Sequence, residues 1–220
     1  MIGDVGPILV CTLLGIFALL VMERAFNMMP ARAVQQCTGS VALHDVHFNS
    51  GDILLCHSFA PICFFTGTPW SHVAVVLVDA FQQEYIVDMT PKGNIRMRDL
   101  RTELLQLMHC SGNRVAVRQV TQTEVNSSML FDFVLRNADI KYAHTYLNTL
   151  IAETPLWFAT MPLARKQGMF CSTFVAKALA HAGVMRSAQY NDFLPHEFTR
   201  ETIHYVRDEY KYGGMTLLHC

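Results

Sequence analysis

Residues 71–79 read SHVAVVLVD, an unbroken β-branched and apolar run whose side chains would point alternately to two opposite faces of a strand. Only a strand covered on both faces keeps all of them from water, so the chain must build a sheet with something packed on each side. The run EYIVDMT, residues 84–90, follows after a short loop containing Ala80–Gln83, and the two predict an antiparallel hairpin. Upstream, the turn glycine Gly51 leads into a further strand, GDILLCHS. Downstream, RVAVRQV from Arg114 to Val120 alternates as a strand should. Helical spacing appears in MRDLRTELLQLMH at Leu100, Leu104, Leu105 and Met108, and again from Glu124 to about Asn137. In FCSTFVAKALAHAG, Phe170, Phe174, Val175, Ala178, Leu179 and Ala182 form a broad apolar stripe ended by Gly183, which predicts a buried helix.

Segregated strands and helices give an α+β class, and 51% apolar residues in 220 are enough for a real core. The organisation expected is 1–26 as an anchor, 27–50 as a tether, 51–212 as the folded domain and 213–220 as a loose tail. A formal charge of −1 with scattered lysines and arginines leaves no electrostatic footprint for nucleic acid. Seven cysteines with no CxxC fit a reducing compartment better than a disulfide framework. The spacings of His44 and His47, or of Cys56 and His57, match no common zinc site, so neither a metal nor a cofactor is expected.

The segment GPILVCTLLGIFALLVM, Gly6 to Met22, is apolar throughout, with Asp4 before it and Glu23 and Arg24 after it. It is slightly short for a bilayer core of ~30 Å, but flanking residues and a snorkelling Arg24 extend it, and it reads as a single membrane anchor. A cleaved signal peptide would need a basic start, which is missing, and a buried core helix is the bland alternative. Arg24 and Arg32 follow the run and no basic side chain precedes it, which predicts a single-pass protein with its domain on the cytosolic side.

Cys171 falls in the first turn of the alanine-rich helix, where unpaired N–H groups and the positive end of the dipole favour a thiolate. The Cys171 backbone N–H is a candidate oxyanion donor there. A lone cysteine is more often simply buried; a nucleophile needs a base in reach and a third group to orient the base. His72 opens the apolar strand, and Asp88 is the only ionisable side chain between Tyr85 and Pro91. The two share a sheet face only if Asp88 lies opposite Ala74 or Val76, which a hairpin loop of three or five residues permits and one of four does not. Trp70 is a candidate wall beside His72, and Asp52 a residue that shapes the turn before the first strand.

Taken together, GDILLCHSFAPICFFTGTPWSHVAVVLVD, EYIVDMTPKGNIRMRDL and MFCSTFVAKAL resemble the circularly permuted papain-fold hydrolases: NlpC-type permuted amidases of the YiiX kind, their poxviral relatives and, more distantly, lecithin retinol acyltransferase. The proline-containing FLPHEFTRE belongs to the same resemblance. It implies a circularly permuted papain-like fold with a small antiparallel sheet on the nucleophile helix. It also implies Cys171 as nucleophile, His72 as base and Asp88 as orienter, where many relatives carry Glu. The expected activity is cleavage of an amide, ester or thioester through a thioester intermediate, as a hydrolase or an acyltransferase, on an acyl-lipid, lipidated or peptide substrate. The reading from another class is a catalytically silent structural or binding module with the same fold.

Overall fold

The computed structural model describes residues 16–17, 23–24, 28–57, 68–90, 94–110, 112–142, 169–186, 193–203 and 205–220. Its centre is a seven-stranded sheet in the order β1-β7-β6-β2-β3-β4-β5. The strands are β1 (Gly39–Ala42), β2 (Ile53–His57), β3 (His72–Val78), β4 (Glu84–Met89), β5 (Ile95–Asp99), β6 (Arg114–Arg118) and β7 (Thr216–His219). All neighbours pair antiparallel except β1 with β7. Among the described residues, the helices α1 (Leu100–His109), α2 (Ser127–Arg136) and α3 (Cys171–His181) accompany it, besides the helical residues 28–35.

The apolar run 71–79 behaves as its composition requires. Val73, Val75 and Leu77 of β3 pack into the core beneath α2 and α3, and Ala74 and Val76 into a second core with Leu100 and Leu104 of α1. Each fully buried valine or leucine contributes about 1.5–3 kcal/mol, so a one-residue slip of β3 is strongly disfavoured. α3 packs its apolar stripe on β3 and β4 and against α2, and Gly183 follows it with φ +79°, the left-handed stop its position predicts.

Several expectations need correction. The sheet is larger than the small antiparallel one implied and is mixed, because stretches read as tether and tail take part in it. Thr216–His219 lies parallel to Gly39–Ala42, and residues 28–35 are helical, with Met29 and Ala33 buried. The strands Gly39–Ala42 and Thr216–His219 look structureless because four residues are too few to show a period, and each is stabilised by pairing with the other. The helix in MRDLRTELLQLMH starts only at Leu100, since the Asp99 side chain caps it by accepting from the Thr102 N–H at 2.8 Å, which leaves Ile95–Asp99 as strand. The expected membrane anchor at 6–22 lies, apart from Ile16 and Phe17, outside the described residues. Among the described residues no helix is long and apolar enough to cross a membrane.

The pair Gly51–Asp52 fastens the head of β2. Asp52 is wholly buried, and its two carboxylate oxygens accept the N–H groups of Asn49 and Val120, each at 2.9 Å. Burial pushes its pKa up to about 6 against those hydrogen bonds. Gly51 has φ +90°, and a Cβ there would stand 2.6 Å from Cγ2 of Val125. Gly51→Ala is therefore expected to cost about 3 kcal/mol, from left-handed strain and overpacking together. In a Val125→Ala background the same change should cost only about 1–2 kcal/mol, read by urea unfolding of the four proteins. An equal cost in both backgrounds would show that the contact with Val125 is not its cause.

Candidate active site

The strand carrying His72 is anchored just before it begins. Trp70 is fully buried and its indole Nε1 donates to Oε1 of Gln36 at 2.7 Å, while the Ser71 N–H donates to the Cys56 carbonyl at 3.0 Å. Trp70 thus shows no surface with which to wall a site; it holds the strand entrance in the core. The hairpin turns through the five residues Asp79 to Gln83, and β4 pairs with β3 through Val75↔Val87, Val76↔Ile86, Leu77↔Tyr85 and Val78↔Glu84. That register continues to Asp88 opposite Ala74, on the face His72 occupies. His72 Nε2 and Asp88 Oδ2 are 2.9 Å apart. The shorter carboxylate therefore reaches the ring directly, without an intervening water.

Asp88, only 2% exposed, has two further partners on the same oxygen: Nη2 of Arg98 at 3.0 Å and Nη2 of Arg96 at 3.2 Å. Arg96 sits directly across the β4–β5 ladder from Asp88, and Arg98 two residues along on the same face. Arg98 is held from its other side by Glu103 of α1. Burial by itself would raise the Asp88 pKa, but the hydrogen bond and charge of His72 and the two guanidinium charges hold it below the ordinary carboxylate value.

Cys171 meets this assembly from α3. Phe170 gives the helix no side-chain cap, so the head of α3 keeps backbone N–H groups free for other acceptors. The His72 ring and the N–H groups of Val73 and Ser172 lie near enough to the Cys171 sulfur to favour its thiolate. The Val73 N–H is available because the β3–β4 ladder ends at Val75↔Val87. Burial by itself would raise the Cys171 thiol pKa; the His72 charge and these N–H groups outweigh it and bring the thiol below its usual value. Burial acts on His72 in the opposite sense, pulling its pKa down, and the Cys171 charge and the Asp88 hydrogen bond reverse this and raise it. Since Nε2 is engaged by Asp88, Nδ1 is the ring nitrogen left for the thiol. The arrangement favours a thiolate–imidazolium pair, with the Cys171 backbone N–H at the helix head.

Cys56, the direct cross-strand neighbour of His72, is a different case. Burial, aided by the negative charges of Asp88 and Cys171, pushes its thiol up to about 12, so it stays protonated. Behind the helix head, Ser172 donates its hydroxyl to the Phe193 carbonyl, tying α3 to the 3₁₀ turn Pro195–Thr199. Arg118, 2% exposed, donates to the carbonyls of Phe198, Arg200, Glu201 and Gly213 and so fixes the same turn to β6.

Sequence reasoning joined Cys171, His72 and Asp88 but passed over Arg96 and Arg98. Their signal was present as the alternation IRMRD, which puts both arginines on one strand face. Arg98 falls within MRDLRTELLQLMH, whose helical spacing begins at Leu100, which hides its strand character.

A family model described as permuted papain-like amidase enzyme, YaeF/YiiX, C92 family, matches residues 47–207. Among solved structures the chain is similar to metalloprotein yiiX from Escherichia coli O157:H7, DUF1105, with a TM-score of 0.45 and 17% identity over 64% of this chain and 69% of that one. A comparison with curated proteins finds no match.

Proposed function

The chain belongs to the permuted papain-like amidase family, and from that premise we propose that it is a cysteine hydrolase in which Cys171 is the nucleophile, His72 the general base and acid, and Asp88 the orienter of His72. The observation that carries this reading is the His72 ring bound through Nε2 to the buried Asp88 carboxylate, with a charge that brings the Cys171 thiol below its usual value against burial. The thiolate attacks the carbonyl carbon of an amide, ester or thioester, and the C–S bond forms as the carbonyl electrons move onto oxygen. The backbone N–H of Cys171 holds that oxyanion. On collapse the C–N, C–O or C–S bond to the leaving group breaks, and the proton on His72 goes to it. Water, deprotonated by His72, then cleaves the Cys171 thioester; an acceptor amine or hydroxyl in its place would make the reaction acyl transfer.

We take 6–22 as a membrane anchor, supported by its composition and by the exposure of Ile16 and Phe17, 50% and 66%. An anchored site favours an acyl-lipid or lipidated substrate over a free peptide, and the arginines after the run put the domain on the cytosolic side.

Iodoacetamide labelling of the full-length protein tests the nucleophile. Cys171 is expected to react at about pH 6, where the thiols of Cys56 and Cys37, pushed up to about 12 and about 11 by burial, stay protonated. The exposed Cys110 and Cys220 serve as comparison thiols in the same experiment. Equal labelling of Cys56 and Cys171 at neutral pH would instead support the silent module.

A further inference from the structure

Asp88 is an unusual orienter because it does not face His72 alone. A single buried oxygen, Oδ2, receives Nε2 of His72, Nη2 of Arg98 and Nη2 of Arg96 at 2.9, 3.0 and 3.2 Å, while Oδ1 is buried with no partner among the described residues. The strand alternation that puts Arg96 and Arg98 on this face also brings two positive charges up to the carboxylate that must stabilise a third on His72. Glu103 offsets one of them through Arg98. The groups facing the ring are thus Asp88 from β4, Arg96 and Arg98 from β5, Glu103 from α1 through Arg98, Cys56 from β2 and Cys171 from α3. Without His72 and Cys171, the two arginines and two acids sum to zero, and the buried thiol of Cys56 adds nothing.

A lone carboxylate beside the ring would hold imidazolium strongly and slow the release of its proton to a leaving group. A carboxylate whose charge is already shared by two guanidiniums keeps the directional hydrogen bond and loses much of the Coulombic hold. From this geometry, and on the reading of Cys171, His72 and Asp88 given above, we infer that Arg96 and Arg98 are positioning residues that compensate the charge of Asp88. They fix its carboxylate toward His72 while making it act more like a neutral amide, so that the imidazolium can give up its proton. Glu103 sets how much of the Arg98 charge reaches the pair.

The test is NMR titration of the His72 ring in full-length protein carrying Cys171→Ala, which removes the coupled thiol. Arg96→Gln and Arg98→Gln should each raise the His72 pKa by about one unit, since each removes a positive charge from the group that opposes protonation. Arg98→Lys, which keeps the charge, should leave it near its starting value. Glu103→Gln should lower it, because the Arg98 charge is then uncompensated. These opposite signs separate charge compensation from a merely structural role, which would move all variants alike. Should either glutamine variant unfold, the lysine and Glu103 variants still decide. Unchanged His72 values in Arg96→Gln, Arg98→Gln and Glu103→Gln, or a rise in Glu103→Gln, would overturn the inference. Failure of the nucleophile reading shows separately, as iodoacetamide reacting no faster at Cys171 than at Cys110 in the otherwise unchanged protein.

Discussion

If Cys171 and His72 act as proposed, replacing His72 by alanine is expected to reduce hydrolysis of an activated aryl ester by about 10³-fold or more, because the proposed nucleophile loses both its base and the charge that keeps it ionised. The pH dependence carries the sharper signature. In the intact protein His72 brings the Cys171 thiol pKa below its ordinary value against the opposing effect of burial. Without the ring, burial at 5% exposure acts with much less opposition, and the thiol pKa moves up. Thiolate then forms only at alkaline pH, so alkylation of Cys171 should fall far more at about pH 6 than at about pH 9. A rate profile for His72→Ala that superimposes on that of the intact protein would remove His72 from the chemistry.

Asp88→Asn has the second largest expected effect, a loss of about 10²–10⁴-fold in turnover, the scale seen when a triad carboxylate becomes an amide. An amide oxygen can still accept from Nε2 of His72, so the ring need not turn away. What changes is the charge: Arg96 and Arg98, 37% and 26% exposed, would face the ring with no carboxylate between them. Imidazolium becomes less favourable and the thiolate–imidazolium pair reverts toward neutral thiol and imidazole, moving the acidic limb of alkylation to higher pH. Stability should change with a definite sign. The Asp88 pKa is lowered on folding, so its contribution is present above the unfolded carboxylate value and lost as pH falls through the folded one. Asp88→Asn should therefore cost about 2 kcal/mol at neutral pH, discounted for the partial exposure of the arginines, and the difference from the parent should shrink in acid. Chemical denaturation at about pH 7 and about pH 3 measures it; an unchanged difference would mean that the ion pairs contribute no net stability.

The site was legible to different depths in its different members. Cys171 was visible because a cysteine at the head of an apolar helical stripe has a local signature, as has a histidine opening a strand of β-branched residues. Whether His72 and Asp88 meet turned on the hairpin loop, and a difference of one residue there reverses the face. The five residues Asp79 to Gln83, with the Asp79 side chain accepting from the N–H groups of Phe81 and Gln83 at 2.8 and 2.9 Å, decided it. Trp70 looked like a neighbour of the chemistry because it stands two residues from His72, yet its partner is Gln36, far away in the chain.

What the sequence determined by itself was the set of local commitments. These were a doubly covered central strand, the helix that follows Cys171, the turn at Gly51–Asp52 and the chain order of histidine, acid and cysteine. Each of them depends on periodicity or on conformational demands felt within a few residues. Only the tertiary structure decided that the ladder between β3 and β4 ends early enough to turn the Val73 N–H toward the thiol. It likewise decided that β5 brings two arginines onto Asp88, and that the chain's first described strand lies beside its last. Those outcomes rest on pairings between distant segments, whose free energy comes from cross-strand hydrogen bonds and shared burial that neither segment records alone.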